Sequence, residues 1–157
     1  MESFMKVSVI LLALALAPAA NSQPVGWSEY VVPESGVVAQ IPTAIFSQDI
    51  GAPEDGYGRR FVRADGQAKL TVQSVPNIAG DSPATFLAKK HPPSNIVYRR
   101  VTRRFFVVSS YRDDKIWYNR CSFAGRFVNC VLIDYPAAEK RQWDSVVTRI
   151  SNTLTSR

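Results

Sequence analysis

From residue 37 onward, apolar and polar positions alternate in short runs, and only the last twenty or so residues place apolar side chains three and four apart. Alternation is the mark of a half-buried strand, and the three-four spacing marks one face of a helix. VVAQI, at 37–41, reads as a short strand ending at Pro42, which has no N–H to give to a ladder. Before it, residues 23–36 show no pattern and predict no element. SQDIGAPEDGYG is rich in glycine, proline and acid and predicts a loop. In RRFVRADGQAKLTVQSV, Asp65-Gly66 lies between two strand-like runs and marks a hairpin turn. Leu70, Val72 and Ser74 fall on one face of its second strand, with Thr71, Gln73 and Val75 on the other.

GDSPATFLAKKH predicts a short helix. Asp81 or Ser82 is its N-cap, Pro83 lies in the first turn, and Lys89 and Lys90 complement the negative end of the helix dipole before Pro92-Pro93 stops it. Residues 96–135 then read as an antiparallel meander with strands at 97–102, 105–111, 115–123 and 127–135. Arg103-Arg104, residues 112–114 and a turn at Gly125 join them. Pro136 opens a final helix in which Trp143, Val146, Val147, Ile150 and Leu154 share a face, with Lys140, Arg141, Asp144 and Arg149 elsewhere. Strands in runs with helices kept apart predict an α+β fold: a mainly antiparallel sheet packed by a C-terminal amphipathic helix.

The N-terminus sets the compartment. VSVILLALALA follows Lys6 and precedes the small residues PAANS, the order of a secretory signal peptide. The apolar run is about 11 residues long, against roughly 20 for a bilayer-spanning helix. The expectation is therefore a signal peptide at 1–22, cleaved after Ala19 or Ser22, and one α+β domain at 23–157, periplasmic or secreted, with no membrane anchor after cleavage. Glu2 weakens the basic start of the signal. Nineteen Lys and Arg against thirteen Asp and Glu give a net charge of +6, which favours anionic surfaces and says nothing of fold.

Export bears on Cys121 and Cys130, because thiols in an oxidising compartment tend to pair. AGRF between their strands offers Gly125-Arg126 as the centre of a type II′ hairpin turn. If Ala124 and Phe127 flank that turn, Cys121 and Cys130 stand opposite each other at a non-hydrogen-bonded position, with Cα atoms about 4.5 Å apart, a spacing that a disulfide accepts. A metal site needs more ligands than these two and the single His91 can supply, and a thiol oxidoreductase motif sets its cysteines two residues apart at a helix start. The predicted role is a structural disulfide.

No catalytic constellation is present. His91, between two lysines and two prolines, reads as a solvated helix terminus, and Ser109-Ser110 as strand residues that satisfy local hydrogen bonds. Gly56-Tyr57-Gly58 lacks the rest of a phosphate loop, and Asp113-Asp114 is a turn. An enzyme reading would need two of Glu29, Glu34, Asp49, Glu54 and Asp65 brought together in a cleft. No metal or other cofactor is implied. One constellation rises above background: Arg59, Arg60 and Arg63 in one strand region and Arg99, Arg100, Arg103 and Arg104 in another, accompanied by Tyr57, Phe61, Tyr98, Phe105 and Phe106. Such a mixture can grip phosphates and stack on rings, whereas arginine alternating along a strand also describes a solvated face or a guarded edge. The anion reading gains if Arg59, Arg63, Arg99 and Arg103 lie on one exposed face with Phe or Tyr beside them, and at those positions it fails if helices or opposing acids cover them.

VVPESGVVAQIPTAIF, RRFVRADGQAKLTVQSVPN, VYRRVTRRFFVVSSYRDDKIWYNRCSF and LIDYPAAEKRQWDSVVTRISNTL together resemble a family of small uncharacterised exported domains of alphaproteobacteria. The Ala-Asp-Gly turn at Ala64, the Asp-Ser-Pro helix start at Asp81 and Asp134-Tyr135-Pro136 carry that resemblance. The order of early strands, helix, four-strand meander and final amphipathic helix is also similar to the PsbP-like fold, an α/β/α sandwich shared by a photosystem extrinsic subunit and a Ran-binding nuclear import factor. The resemblance implies a non-catalytic accessory or binding domain with an envelope protein as partner, although no binding motif of those proteins is matched here. The alternative is a binder of anionic ligands (lipid headgroups, lipopolysaccharide or nucleic acid) through the arginine and aromatic faces.

Overall fold

The computed structural model describes residues 26–156; the signal peptide expected at 1–22 lies outside the described residues. Seven strands form one antiparallel sheet in the order β3-β4-β5-β9-β8-β7-β6, and a smaller sheet runs β1-β2-β10. In chain order the strands are β1 Trp27–Val31, β2 Val37–Pro42, β3 Gln48–Asp49, β4 Tyr57–Val62, β5 Lys69–Pro76, β6 Ile96–Val101, β7 Phe105–Arg112, β8 Lys115–Ala124, β9 Phe127–Pro136 and β10 Thr155–Ser156. Helix α1, Pro83–Lys89, follows β5, and helix α2, Lys140–Thr153, follows β9 through the 3-10 turn Ala137–Glu139.

Local chemistry accounts for these elements. Ser82 caps α1, its Oγ accepting the Thr85 N–H at 3.2 Å, and Lys89 at the other end reaches back to Asp81 at 2.6 Å. The β8–β9 hairpin turns at Gly125 with φ +59° while Arg126 keeps a negative φ, as a type II′ turn requires. Ala124 then opposes Phe127 and Cys121 opposes Cys130, at a Cα separation of 4.1 Å with the sulfurs bonded. In β4, Gly58 has φ +134°, and a Cβ there would lie 2.0 Å from the Val72 carbonyl oxygen; only glycine fits this approach to β5.

Alternation along the central strands feeds two cores, one on each face of the large sheet. Leu70, Val72, Val131 and Ile133 face α2 and the small sheet, where Trp143, Ile150 and Val37 meet them. Phe106, Val108, Trp117, Val128 and the cysteine pair face the other way, against Phe86 and Leu87 of α1. The result is the α+β fold expected, with helices on both faces of a mainly antiparallel sheet.

Four features differ from the sequence expectation. Residues 27–31, where no element was predicted, form β1 and pair with β2 from Trp27↔Pro42 to Val31↔Val38. This edge strand buries Trp27 and Tyr30 only in part, so WSEYV carries no two-residue period. Within the predicted loop, Gln48 and Asp49 add a two-residue strand to β4. Pro136 ends β9 instead of opening the helix, and a 3-10 turn intervenes before Lys140. After α2, Thr155 and Ser156 pair with Val38 and Val37, too short a contact to leave a pattern. The four meander strands lie within one residue of their predicted bounds.

Candidate functional site

The seven arginines singled out in the sequence do not form one surface. Strands β4 and β6 are separated by β5, β9, β8 and β7, which puts them about 24 Å apart at ordinary strand spacing. Arg59, on the α2 side, is half exposed and 3.8 Å from Asp49. Arg63 is occupied by Asp65 at 2.8 Å and Glu139 at 2.6 Å, and its guanidinium lies over the Trp143 ring. Arg60 points to the α1 side, into a groove it shares with Glu54, Asp55, Lys90, Arg112 and Asp134. Burial raises the Asp134 carboxyl pKa against the opposing pull of Arg112, Lys115 and Lys69. Arg99 opposes Val108 on the α1 side of β6, and Arg103 and Arg104 are exposed in the turn that follows.

Arg100 belongs to a different cluster. It opposes Val107 of β7, and Val107 opposes Arg120 of β8, so both arginines stand on the α2 side with one strand between them. Phe105, two residues from Val107 on the same face, receives both guanidinium groups over its ring, at 5.4 Å for Arg100 and 5.2 Å for Arg120. Tyr98, Tyr118 and the α2 residues Ser151 and Asn152 complete a groove of about 200 Å³ between the sheet and α2. The Tyr118 hydroxyl shares a 2.5 Å hydrogen bond with Ser151 Oγ, and burial raises its pKa although that bond and Arg120 pull it down. The Arg120 Nε–H is buried without an acceptor. None of the ion pairs among the described residues includes Arg100 or Arg120.

Sequence reasoning named Arg100 and missed Arg120, Tyr118 and the α2 wall. Arg120 has no arginine neighbour along its own strand, so a search for runs passes over it. The signal was available in the register: the turn at 112–114 places Arg120 opposite Val107, and the turn at 103–104 places Arg100 opposite the same residue.

The remaining candidates are dispersed. His91 is exposed just beyond α1 with φ +49°. Ser110 is buried and donates to the Asn95 carbonyl at 2.7 Å, while Asp113 and Asp114 form the exposed turn between β7 and β8. Among the five carboxylates, Asp49 and Asp65 are beside arginines, Glu29 is on β1, and Glu34 and Glu54 line separate grooves. Among the described residues, no three histidine, cysteine or acidic side chains are grouped to hold a metal ion, and no helix is long and apolar enough to cross a membrane.

No family model matches the chain, and no curated protein does. Solved structures similar to it include the solution structure of cyanobacterial PsbP (CyanoP) from Synechocystis sp. PCC 6803, with a TM-score of 0.64 at 6% identity over 90% of this chain and 99% of that one. At that identity the likeness speaks for architecture alone: the chain has the PsbP-like fold.

Proposed function

We propose that the protein is an exported, non-catalytic accessory domain of the periplasm or the extracellular space, which binds an envelope protein. The observation that carries this reading is the outer edge of the large sheet. Among the described residues, strand β6 pairs with β7 alone, and beside the exposed Arg99 and Arg100 and a bulge at Val97 it leaves Val97 65% and Tyr98 50% exposed, an apolar and aromatic stretch at a sheet edge whose charges and bulge guard it only in part. Such an edge accepts a strand or loop of a partner. The PsbP-like fold, and the cysteine pair at disulfide distance in an oxidising compartment, support the same reading. A photo-reactive amino acid at Val97 in the full exported chain tests it by cross-linking in cells. Recovery of one envelope protein, lost when Tyr98→Asp is added and retained with Ile78→Asp, is the expected result. Equal labelling from position 78, which is also exposed, removes the edge from the reading.

The arginine face expected from Arg59, Arg63, Arg99 and Arg103 is not formed, but the binding of anionic ligands is favoured as a second reading at another place by one specific observation: Arg100 and Arg120 converge on Phe105 with no carboxylate partner among the described residues. Arg59 and Arg63, each beside an acid, contribute less to it.

A further inference from the structure

We propose that the groove between β6–β8 and α2 is a binding site for a phosphomonoester, held by Arg100 and Arg120 against the ring of Phe105. This rests on the second reading above and gives it a site and a ligand class. Two observations carry it, the uncompensated charge and the size of the groove. Two guanidinium groups share one small concavity without a counter-charge among the described residues, and a dianion balances them where a monoanionic carboxylate does not; a phosphomonoester carries about −1.5 to −2 at neutral pH. The Arg120 Nε–H is itself buried, so a bound oxyanion would meet the outer guanidinium N–H groups, whose fork suits phosphate oxygens in pairs. A volume of about 200 Å³ lies below the roughly 300 Å³ at which pockets for larger ligands begin, and so admits a headgroup-sized anion.

The competing basic groove, around Arg60, fails the same reasoning. It holds Glu54, Asp55 and Asp134 beside its cations, so an incoming anion meets charges of its own sign.

The test uses the exported, disulfide-bonded chain. Inorganic phosphate and acetate are titrated at constant ionic strength and pH 7.5, following the arginine Nε–H and backbone amide signals by NMR. Phosphate is expected to give saturable shifts at Arg100, Arg120 and Asn152, with at least tenfold tighter binding than acetate. Arg100→Gln, at an exposed edge position, should weaken phosphate at least tenfold while leaving the rest of the spectrum in place; Arg120→Gln should do the same, and Arg103→Gln should change nothing. Phosphatidylcholine vesicles with and without phosphatidic acid then identify the source. Co-sedimentation that depends on phosphatidic acid and Arg100 places the phosphate on a lipid, and saturation by free phosphate without co-sedimentation places it on a soluble ester. Linear shifts that never saturate, equal response to acetate, or unchanged binding by Arg100→Gln overturns the site. If acidic vesicles still bind both glutamine variants fully, the broader anion reading survives and the groove does not.

Discussion

Glu139 shows how a candidate ligand-binding arginine is claimed by the fold. Its carboxylate accepts from Arg63 Nη1 at 2.6 Å and Nη2 at 3.1 Å, and from Trp143 Nε1 at 2.9 Å. The start of α2 is thereby tied to the end of β4, and the Trp143 indole N–H, in a side chain only 3% exposed, has its acceptor. The hydrogen bonds from Arg63, and secondarily from Trp143, hold the Glu139 carboxyl below its ordinary pKa. A depressed folded pKa contributes stability above the unfolded value, about 4.3, and that contribution disappears as pH falls through the folded one. Replacing Glu139 with Ala should therefore cost about 1–2 kcal/mol at pH 7, the range for hydrogen bonds to a charged group in a partly exposed pair. The deficit should narrow between pH 4 and 2. Urea denaturation at both ends of that range checks this, and a deficit of constant size would mean that packing, not charge, is lost. The contact was not legible beforehand: Arg63 lies just past the end of β4, and its partner lies 76 positions away on a turn whose approach no local pattern encodes.

At the scale of elements, what could be read was whatever a short connection fixes. Three meander turns set three registers, and the pairing of Cys121 with Cys130 followed from one glycine and the two-residue count. What escaped was held by tertiary partners: β1, whose Tyr30 packs edge-on against Phe61 of β4, and β10, whose Ser156 hydroxyl lies 3.3 Å from the Asn129 amide nitrogen. Asn129 belongs to a buried polar chain, since Ser74 Oγ donates to its Oδ1 at 2.7 Å and shares a 2.6 Å bond with Ser35. Serine and asparagine at inward positions look like interruptions of a core pattern until their partners are known. The cysteine pair crosses β8 and β9 near the middle of the large sheet, with both residues fully buried against α1. Its loop spans nine positions, for which chain entropy in the unfolded state gives about 2–3 kcal/mol. The double variant Cys121→Ala/Cys130→Ala should lose that much in urea at pH 7 without losing the fold. A loss under about 1 kcal/mol would show that the unfolded chain already holds this hairpin closed.

Across the whole molecule, the two cores are separated by a sheet one residue thick, and the same strands serve both. In β8, Ile116 faces α2 while Trp117 faces α1; in β9, Val131 and Val128 divide in the same way. A strand cannot release one face and keep its register for the other, so the two sides should unfold as one cooperative unit. The prediction concerns α1, a helix of only 7 residues, which anchors its core through Phe86 and Leu87. Leu87→Ala removes a side chain that is 2% exposed and should cost about 2–4 kcal/mol. Native-state hydrogen exchange reads where that loss is felt. If the strands couple the cores, the amides of Phe106, beside the substitution, and of Ile150, on the far side of the sheet in α2, should lose protection by the same free energy. Protection kept at Ile150 but lost at Phe106 would mean that α1 and the outer strands β6 and β7 open on their own. That outcome would also bear on the proposed binding, because β6 and β7 carry the exposed Val97 and Tyr98 edge and the Arg100 and Phe105 side chains of the arginine groove. A sheet that opens from this end would lose the β6 edge and the Arg100–Phe105 contact in a minor state, whereas a fully coupled one keeps both until the whole chain unfolds.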